Sequence, residues 1–311
     1  MSRAKVTRLP GTEVTLGQAA ELFLNRRDLA DTTRATYAVT CSKAHEDLGA
    51  DCRLVDLDAV AIERHLEGRY GSASPATYNR VRATLGSLFT TAARKGLIDS
   101  NPVEGIERRK PRKTKGEVAR RRAIDYEALD ALWTRPDIAI REKTLWRMLY
   151  ETAARANEVL SLNVEDLDFD DRSAITIGKG GHAETIFWSS GTARLLPKLL
   201  DGRSTGPVFL TDRRALRPMP ANDTDPATGH TRLSYRRAAE MFTEASGGWT
   251  LHQLRHSELT RLAESGVDIA LLKAKSRHAS IRSLERYVNP SEASVAKLTA
   301  DHDPEARRSR R

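Results

Sequence analysis

Between Arg108 and Arg122 the chain sets Arg108, Arg109, Lys110, Arg112, Lys113, Lys115, Arg120, Arg121 and Arg122 against one acid, Glu117. Like charges packed this densely repel one another and cannot enter a core, so the segment stays extended and solvated. It therefore divides the 311 residues into two bodies, each with its own core. The same density of positive charge suits contact with phosphates. The whole chain leans the same way, with 51 Lys and Arg facing 42 Asp and Glu for a net charge of +9. A second basic cluster, Arg307, Arg308, Arg310 and Arg311, ends the sequence.

Several classes are excluded early. Aromatic residues make up only 5% of the chain, so both cores must be built mainly from Leu, Ala, Val and Ile. No apolar run approaches the roughly 18 residues of a membrane span. The opening MSRAKVTRLP is basic but lacks the apolar stretch of a secretory signal. Cys41 and Cys52 are the only cysteines, too few for a disulfide scaffold or a four-cysteine zinc site. The expectation is a soluble cytoplasmic protein with no membrane partner.

Before the basic segment the pattern is helical. Thr15 caps a helix carrying Leu16, Ala19, Ala20, Leu22, Phe23 and Leu24. Asp31 and Thr32 open a second, through Tyr37, Val39 and Ala44, and Asp58 opens a third with Val60, Ile62 and Leu66. Ser74-Pro75 pairs an N-cap with proline in the first turn, and that helix runs through Val81, Leu85, Leu88 and Phe89 to Gly96. Four helices with no strand pattern predict a small bundle. After the segment, Asp125 caps a helix with Leu129 and Leu132, and a longer one follows through Leu145, Met148 and Leu149. Ile175, Ile177, Ile186, Phe187 and Trp188 flank Gly178-Lys179-Gly180-Gly181, which reads as a hairpin. Residues 203–229 read as a loop, and helices return from Thr231.

The second body holds four groups of polar residues. Arg155 and Glu158 are spaced i, i+3 and share a helix face. Lys179 sits in a Gly-rich turn that lets it swing, without the ending of a nucleotide-binding P-loop. His252 and Arg255 are again i, i+3, in the first turns of a helix capped by Thr250, where the dipole favours an anion. His256 is adjacent and reads as structural. His278 precedes Tyr287 by nine residues, with Ser280 placed to cap the intervening helix. Metal binding by His252, His256 and His278 lacks support, because no HExxH occurs and no acidic or cysteine ligand recurs at zinc spacing. No G-x-S-x-G elbow is present for a serine triad.

Arginine and histidine donors stabilise the negative charge that builds on a phosphodiester under attack. A tyrosine is a competent oxygen nucleophile, and a mobile lysine can protonate the departing 5′ oxygen. Arg155, Glu158, Lys179, His252, Arg255, His278 and Tyr287 follow the motif order of the integrase family, and the chain resembles a tyrosine recombinase of that family.

The resemblance spans nearly the whole chain. It implies a mainly α protein: an N-terminal helical core-binding domain (SAM-like) plus a mixed α/β catalytic domain with a small antiparallel sheet. The expected boundaries are a basic N-terminal segment 1–14, a core-binding domain 15–106, a basic linker 107–122, a catalytic domain 123–291 and a tail 292–311. Only about 14 residues precede the first helix, closer to the two-domain Xer-type layout than to integrases with an arm-binding domain.

For the site, the resemblance implies attack by Tyr287, a 3′-phosphotyrosyl intermediate and a released 5′-hydroxyl. Arg155, Arg255 and His278 would hold the phosphoryl oxygens, His252 would act as base or acid, Lys179 would protonate the 5′ oxygen, and Glu158 would orient its basic neighbours. No metal and no cofactor are implied. The implied partners are duplex DNA bearing specific recombination sites, gripped in a C-shaped clamp with the basic linker crossing it, further copies of the chain forming a tetramer, and accessory proteins. A type IB topoisomerase shares the phosphate chemistry, and a non-catalytic DNA-binding protein shares the charge, although retention of Tyr287 and its six partners argues against the latter. One departure stands out. The family usually has Gly before the histidine of its fourth motif, and this chain has Arg277. A side chain there alters the turn's backbone freedom, with a shifted His278 or an added phosphate contact as the expected results.

Overall fold

The computed structural model describes residues 13–110, 123–178, 181–214, 217, 219–278, 280–284, 287, 299 and 300. They fall into two units, Met1–Lys113 and Thr114–Arg311.

The first unit is a four-helix bundle: α1 (Leu16–Leu24), α2 (Asp31–Leu48), α3 (Ala59–Tyr70) and α4 (Pro75–Arg94). Its boundaries follow from capping chemistry. The Thr15 hydroxyl accepts from the Gln18 amide at 3.2 Å while Gln18 Oε1 accepts from the Thr15 amide at 3.1 Å, closing a reciprocal box. Asp58 accepts from the Ala61 amide at 2.8 Å and Ser74 from the Thr77 amide at 3.2 Å. Leu16, Phe23, Ile62, Leu66, Leu85 and Phe89 meet in the centre. Val39 and Val60, which the sequence pattern assigns to apolar faces, are exposed instead.

The second unit is built around α6 (Ile140–Thr152), whose Leu145, Trp146, Met148 and Leu149 are buried. α5 (Tyr126–Thr134) adds Leu129, Leu132 and Trp133 to the same core. α6 packs against α8 (Ser190–Leu200) and α10 (Leu251–Glu264), and the Trp146 ring meets Phe242 of α9 (Tyr235–Ser246) edge-on at 5.2 Å. Two further short helices are α7 (Ala156–Leu160) and α11 (Ile269–Ser276). An antiparallel sheet, in the order β1 (Leu167–Asp168), β2 (Ser173–Ile177), β3 (Ala183–Phe187), contains the expected hairpin. Ala174, Thr176 and Ile186 face inward, whereas Ile175, Ile177 and Phe187 are exposed. Trp188 lies beyond β3 and is buried.

Four local expectations are corrected. Residues 203–229 are not a continuous loop, because β4 (Leu210–Arg214) pairs with β5 (His230–Arg232) in a second sheet. Thr231 therefore lies in a strand, and the helix begins at Tyr235. The pairing is held by Arg232, which donates to Leu160 O and Leu162 O, each at 3.0 Å, and to Asn163 and Asp223. These are long-range contacts that a polar, turn-rich composition conceals. Finally, Ser280 precedes a single 3-10 turn, Ile281–Ser283, and Asp125 occupies an N-cap position without a side-chain capping bond.

The packing of the first unit is testable. Phe89 is fully buried, so Phe89→Ala should cost about 3–5 kcal/mol. Exposed Val39→Ala should change stability by no more than about 0.5 kcal/mol. Denaturant unfolding followed by helical circular dichroism checks both, and equal effects would contradict the packing described.

Candidate active site

The site begins with a buried charge. Arg255 projects from the first turns of α10 and is 3% exposed. Its Nη1 donates to Ala153 O at 2.5 Å and its Nη2 to Ser276 O at 2.6 Å. These carbonyls lie at the C-terminal ends of α6 and α11, where helix oxygens lack intrahelical donors and the dipole is negative. A guanidinium is well matched to both deficits. Nη2 also lies 3.4 Å from His278 Nε2, and His278 Nδ1 is 2.7 Å from the Ser276 hydroxyl. Burial, followed by the charges of Arg155 and Arg277, pushes the Arg255 guanidinium down to about 10, so it stays cationic at neutral pH.

Arg155 enters from the other side, as the residue preceding α7. Its Nη1 donates to Glu158 Oε1 at 2.6 Å, and its amide donates to Glu158 Oε2 at 2.9 Å. The i, i+3 spacing thus folds into a helix-start clamp in which Glu158, only 5% exposed, fixes an arginine whose side chain remains 40% exposed. Burial alone would raise the Glu158 carboxyl. The bonds from Arg155 and the charge of Arg277 outweigh it and hold the group below its ordinary range.

His252 is exposed at the start of α10, where Gln253 Oε1 accepts from the Thr250 amide at 2.9 Å. Arg155, Glu158, His252, Arg255 and His278 line one cleft of about 740 Å³, together with Gly178 and Tyr235. Five of the seven residues singled out from the sequence are therefore brought together. Lys179 lies outside the described residues, although its predecessor Gly178 is on the cleft wall. Tyr287 is 7% exposed and packs with Ala153, Leu259, Leu272 and Leu284. Its ring lies 5.0 Å from that of His256 and 6.3 Å from that of His278, placing it beside the cleft rather than on its lining.

Arg277 departs from the expected phosphate contact in an informative way. It has φ of +53°, the left-handed conformation that glycine adopts most easily. Its side chain does not turn outward toward a phosphate. It is 7% exposed, with Nη2 at 2.7 Å from Glu158 Oε2 and Nε at 3.1 Å from Glu184 Oε2. Ser276 and Glu184 were also missed as site residues. Ser276 precedes the noted Arg277 directly, but Glu184 lies on a distant strand with no local signal.

Of the linker cations, Arg108 and Lys110 are exposed. Arg109 is engaged within its own unit. Its guanidinium lies 3.9 Å from the Tyr78 ring centroid and 2.5 Å from Glu67, and its amide donates to Asn79 at 2.9 Å. Arg112, Lys113, Lys115, Arg120, Arg121 and Arg122 lie outside the described residues.

The Glu158 clamp makes a pH prediction. A carboxyl depressed in the folded state contributes stability that is present above its ordinary value of 4.5 and lost as pH falls through its folded value. Glu158→Gln should therefore be less stable than the unaltered chain at neutral pH, and the gap should narrow below pH 4.5. Thermal unfolding across the acid range checks this, and a constant gap would contradict the clamp.

Residues 123–294 match the phage integrase family. A tyrosine recombinase XerC of Mycobacterium sp. (strain KMS) is 28% identical over 267 residues, covering 82% of this chain and 84% of the relative. XerC of Mycobacterium bovis (strain BCG / Pasteur 1173P2) is 27% identical over 262 residues, with 79% and 84% covered. Among solved structures, the Tn1549 transposon integrase in complex with circular intermediate DNA superposes with a TM-score of 0.69 at 15% identity, over 92% of this chain and 99% of that one. A lambda integrase dimer bound to a COC′ core site gives 0.68 at 17% identity, over 90% and 97%. The ordered residues of the cleft and the extent of the family match lead to one assignment: this chain belongs to the phage integrase family of tyrosine recombinases.

Proposed function

We propose that this protein is a site-specific DNA recombinase that cleaves and rejoins strands through a 3′-phosphotyrosyl link to Tyr287. The observation that carries the reading is the convergence of Arg155, Arg255, His252 and His278 on one cleft, with Tyr287 packed beside it. Fixed donors of this kind stabilise charge on the non-bridging oxygens with little reorganisation during the reaction. Arg155 offers a half-exposed guanidinium, Arg255 a buried one, and His278 an imidazole anchored through Ser276.

In the reaction, Tyr287 Oη gives up its proton and attacks phosphorus as the bond to the 5′ oxygen breaks. His252, exposed in the cleft, moves a proton at this step, and Lys179 delivers one to the departing 5′ oxygen. One phosphoester bond is exchanged for another, so the reverse attack by a 5′-hydroxyl reseals DNA without ATP. The charge that grips an oxyanion here comes from the protein's own side chains, and no step calls for a metal or cofactor.

Duplex DNA is the substrate of this reading. The named relatives are recombinases, and several structural neighbours were solved on DNA sites. The exposed Arg108 and Lys110, with the cations that follow, contact the phosphate backbone in this scheme, while Arg109 serves the bundle itself. Four protomers acting on two sites would complete an exchange through a Holliday junction. No described helix is long and apolar enough to cross a membrane, and the reading places the protein with DNA in the cytoplasm.

Tyr287→Phe removes only the phenolic oxygen. It should bind DNA nearly as well as the unaltered chain and form no covalent adduct on a nicked suicide substrate. Denaturing gels read the adduct and filter binding reads affinity. Normal adduct from the variant would remove Tyr287 from the role of nucleophile.

A further inference from the structure

We propose that Arg277 is a positioning residue that straps the hairpin bearing Lys179 to the residues gripping the phosphate, an inference that rests on the reading of Lys179 as the acid for the 5′ oxygen. A non-glycine residue held in the left-handed region is strained and persists only where its surroundings fix it. Here the surroundings are two carboxylates. The Arg277 guanidinium is almost fully withdrawn from water, and a buried charge is tolerated only when it is paired. Nη2 meets Glu158, the acid that holds Arg155. Nε faces Glu184 at 3.1 Å, at an angle that makes it a charge contact rather than a hydrogen bond. Nη1 donates back to Lys275 O at 3.2 Å and stiffens the turn that leads to His278.

Glu184 carries the grip into the hairpin. It stands on β3 opposite Thr176 of β2. Its carboxylate closes over Gly178, where an added Cβ would come within 2.9 Å of it. Gly178 immediately precedes Lys179, and its amide donates to His182 O at 2.8 Å to form the base of the turn. A second cation from the same segment ties the other end of β3, because Lys275 Nζ donates to Phe187 O at 3.1 Å. The 275–278 turn is thus fastened to β3 twice, at Glu184 and at Phe187. One guanidinium thereby joins the two parts of the chemistry, the grip on the non-bridging oxygens and the delivery of a proton to the 5′ oxygen.

Two variants separate these connections. Glu184→Gln keeps the shape and removes the charge that reaches the hairpin. Arg277→Gly relieves the backbone and releases both carboxylates. Single-turnover cleavage is measured on two suicide substrates, one with the natural bridging 5′ oxygen and one with sulfur there, which departs without protonation. A misplaced acid slows the oxygen substrate by up to about 10²-fold. Glu184→Gln should show a defect of that kind on oxygen, return to nearly the unaltered rate on sulfur, and bind DNA normally. Arg277→Gly should be slow on both substrates, with partial recovery on sulfur, because Arg155 loses its anchored partner as well. Glu184→Gln added to Arg277→Gly should cost nothing more. Equal rates of Glu184→Gln relative to the unaltered chain on both substrates, or an equal defect on both, would overturn the proposal. Lys179→Ala in the same assay keeps the underlying reading distinct. If it is rescued by sulfur and Glu184→Gln shows no selective defect, the strap alone fails. If Lys179→Ala is not rescued, the acid assignment fails and the strap falls with it.

Discussion

The arrangement depends on a cation that has been taken out of water. Arg255 has almost no solvent exposure, and it is tolerated there because two helices end against it. The carbonyls of Ala153 and Ser276 need donors, and the guanidinium supplies them in a fixed planar geometry that a lysine could not reproduce. Both helix ends are followed or formed by residues with positive φ, Ala153 at +49° and Arg277 at +53°. The chain reverses sharply at each and runs on to a residue that lines the cleft. Arg155 follows one reversal and His278 the other. Segments about a hundred residues apart in sequence are thereby set around one cleft, and the buried charge that organises them also faces it.

Charge balance explains the second tier. Arg155, Arg255 and Arg277 would repel one another in a site with no anion bound, and burial first, then this proximity, lowers the affinity of Arg255 for its proton. Glu158 sits between Arg155 and Arg277 and is itself held ionised by them. It offsets part of the repulsion while leaving Arg155 half exposed to the cleft. A phosphodiester entering the cleft then meets donors that need little further ordering, which is the physical content of preorganisation.

Much of this was legible in the sequence because it was local. Capping residues fixed the starts of α1, α3 and α4, and i, i+3 spacing placed Arg155 with Glu158 on one helix start. The fold class and the family followed from motifs whose order survives any rearrangement in space. Other features were set by distant partners. β4 and β5 depend on Arg232 reaching across to Leu160 and Leu162, and nothing in a Gly-, Pro- and Asp-rich stretch reports that. Arg277 was conspicuous in a position where the family usually has glycine, yet the inward course of its side chain depends on Glu158 and Glu184, which lie 119 and 93 residues away. Arg109 similarly looked like one more linker cation until Tyr78 and Glu67 placed it in the bundle.

We propose that protein side chains alone carry phosphoryl transfer to Tyr287. The most direct test is to trap the covalent adduct on a suicide substrate in the presence of EDTA, digest the protein, and map the nucleotide-bearing peptide by mass spectrometry. Adduct is expected in undiminished amount, with the phosphate on Tyr287 and nowhere else. Adduct on another residue, or adduct that vanishes in EDTA and returns with a divalent ion, would contradict it.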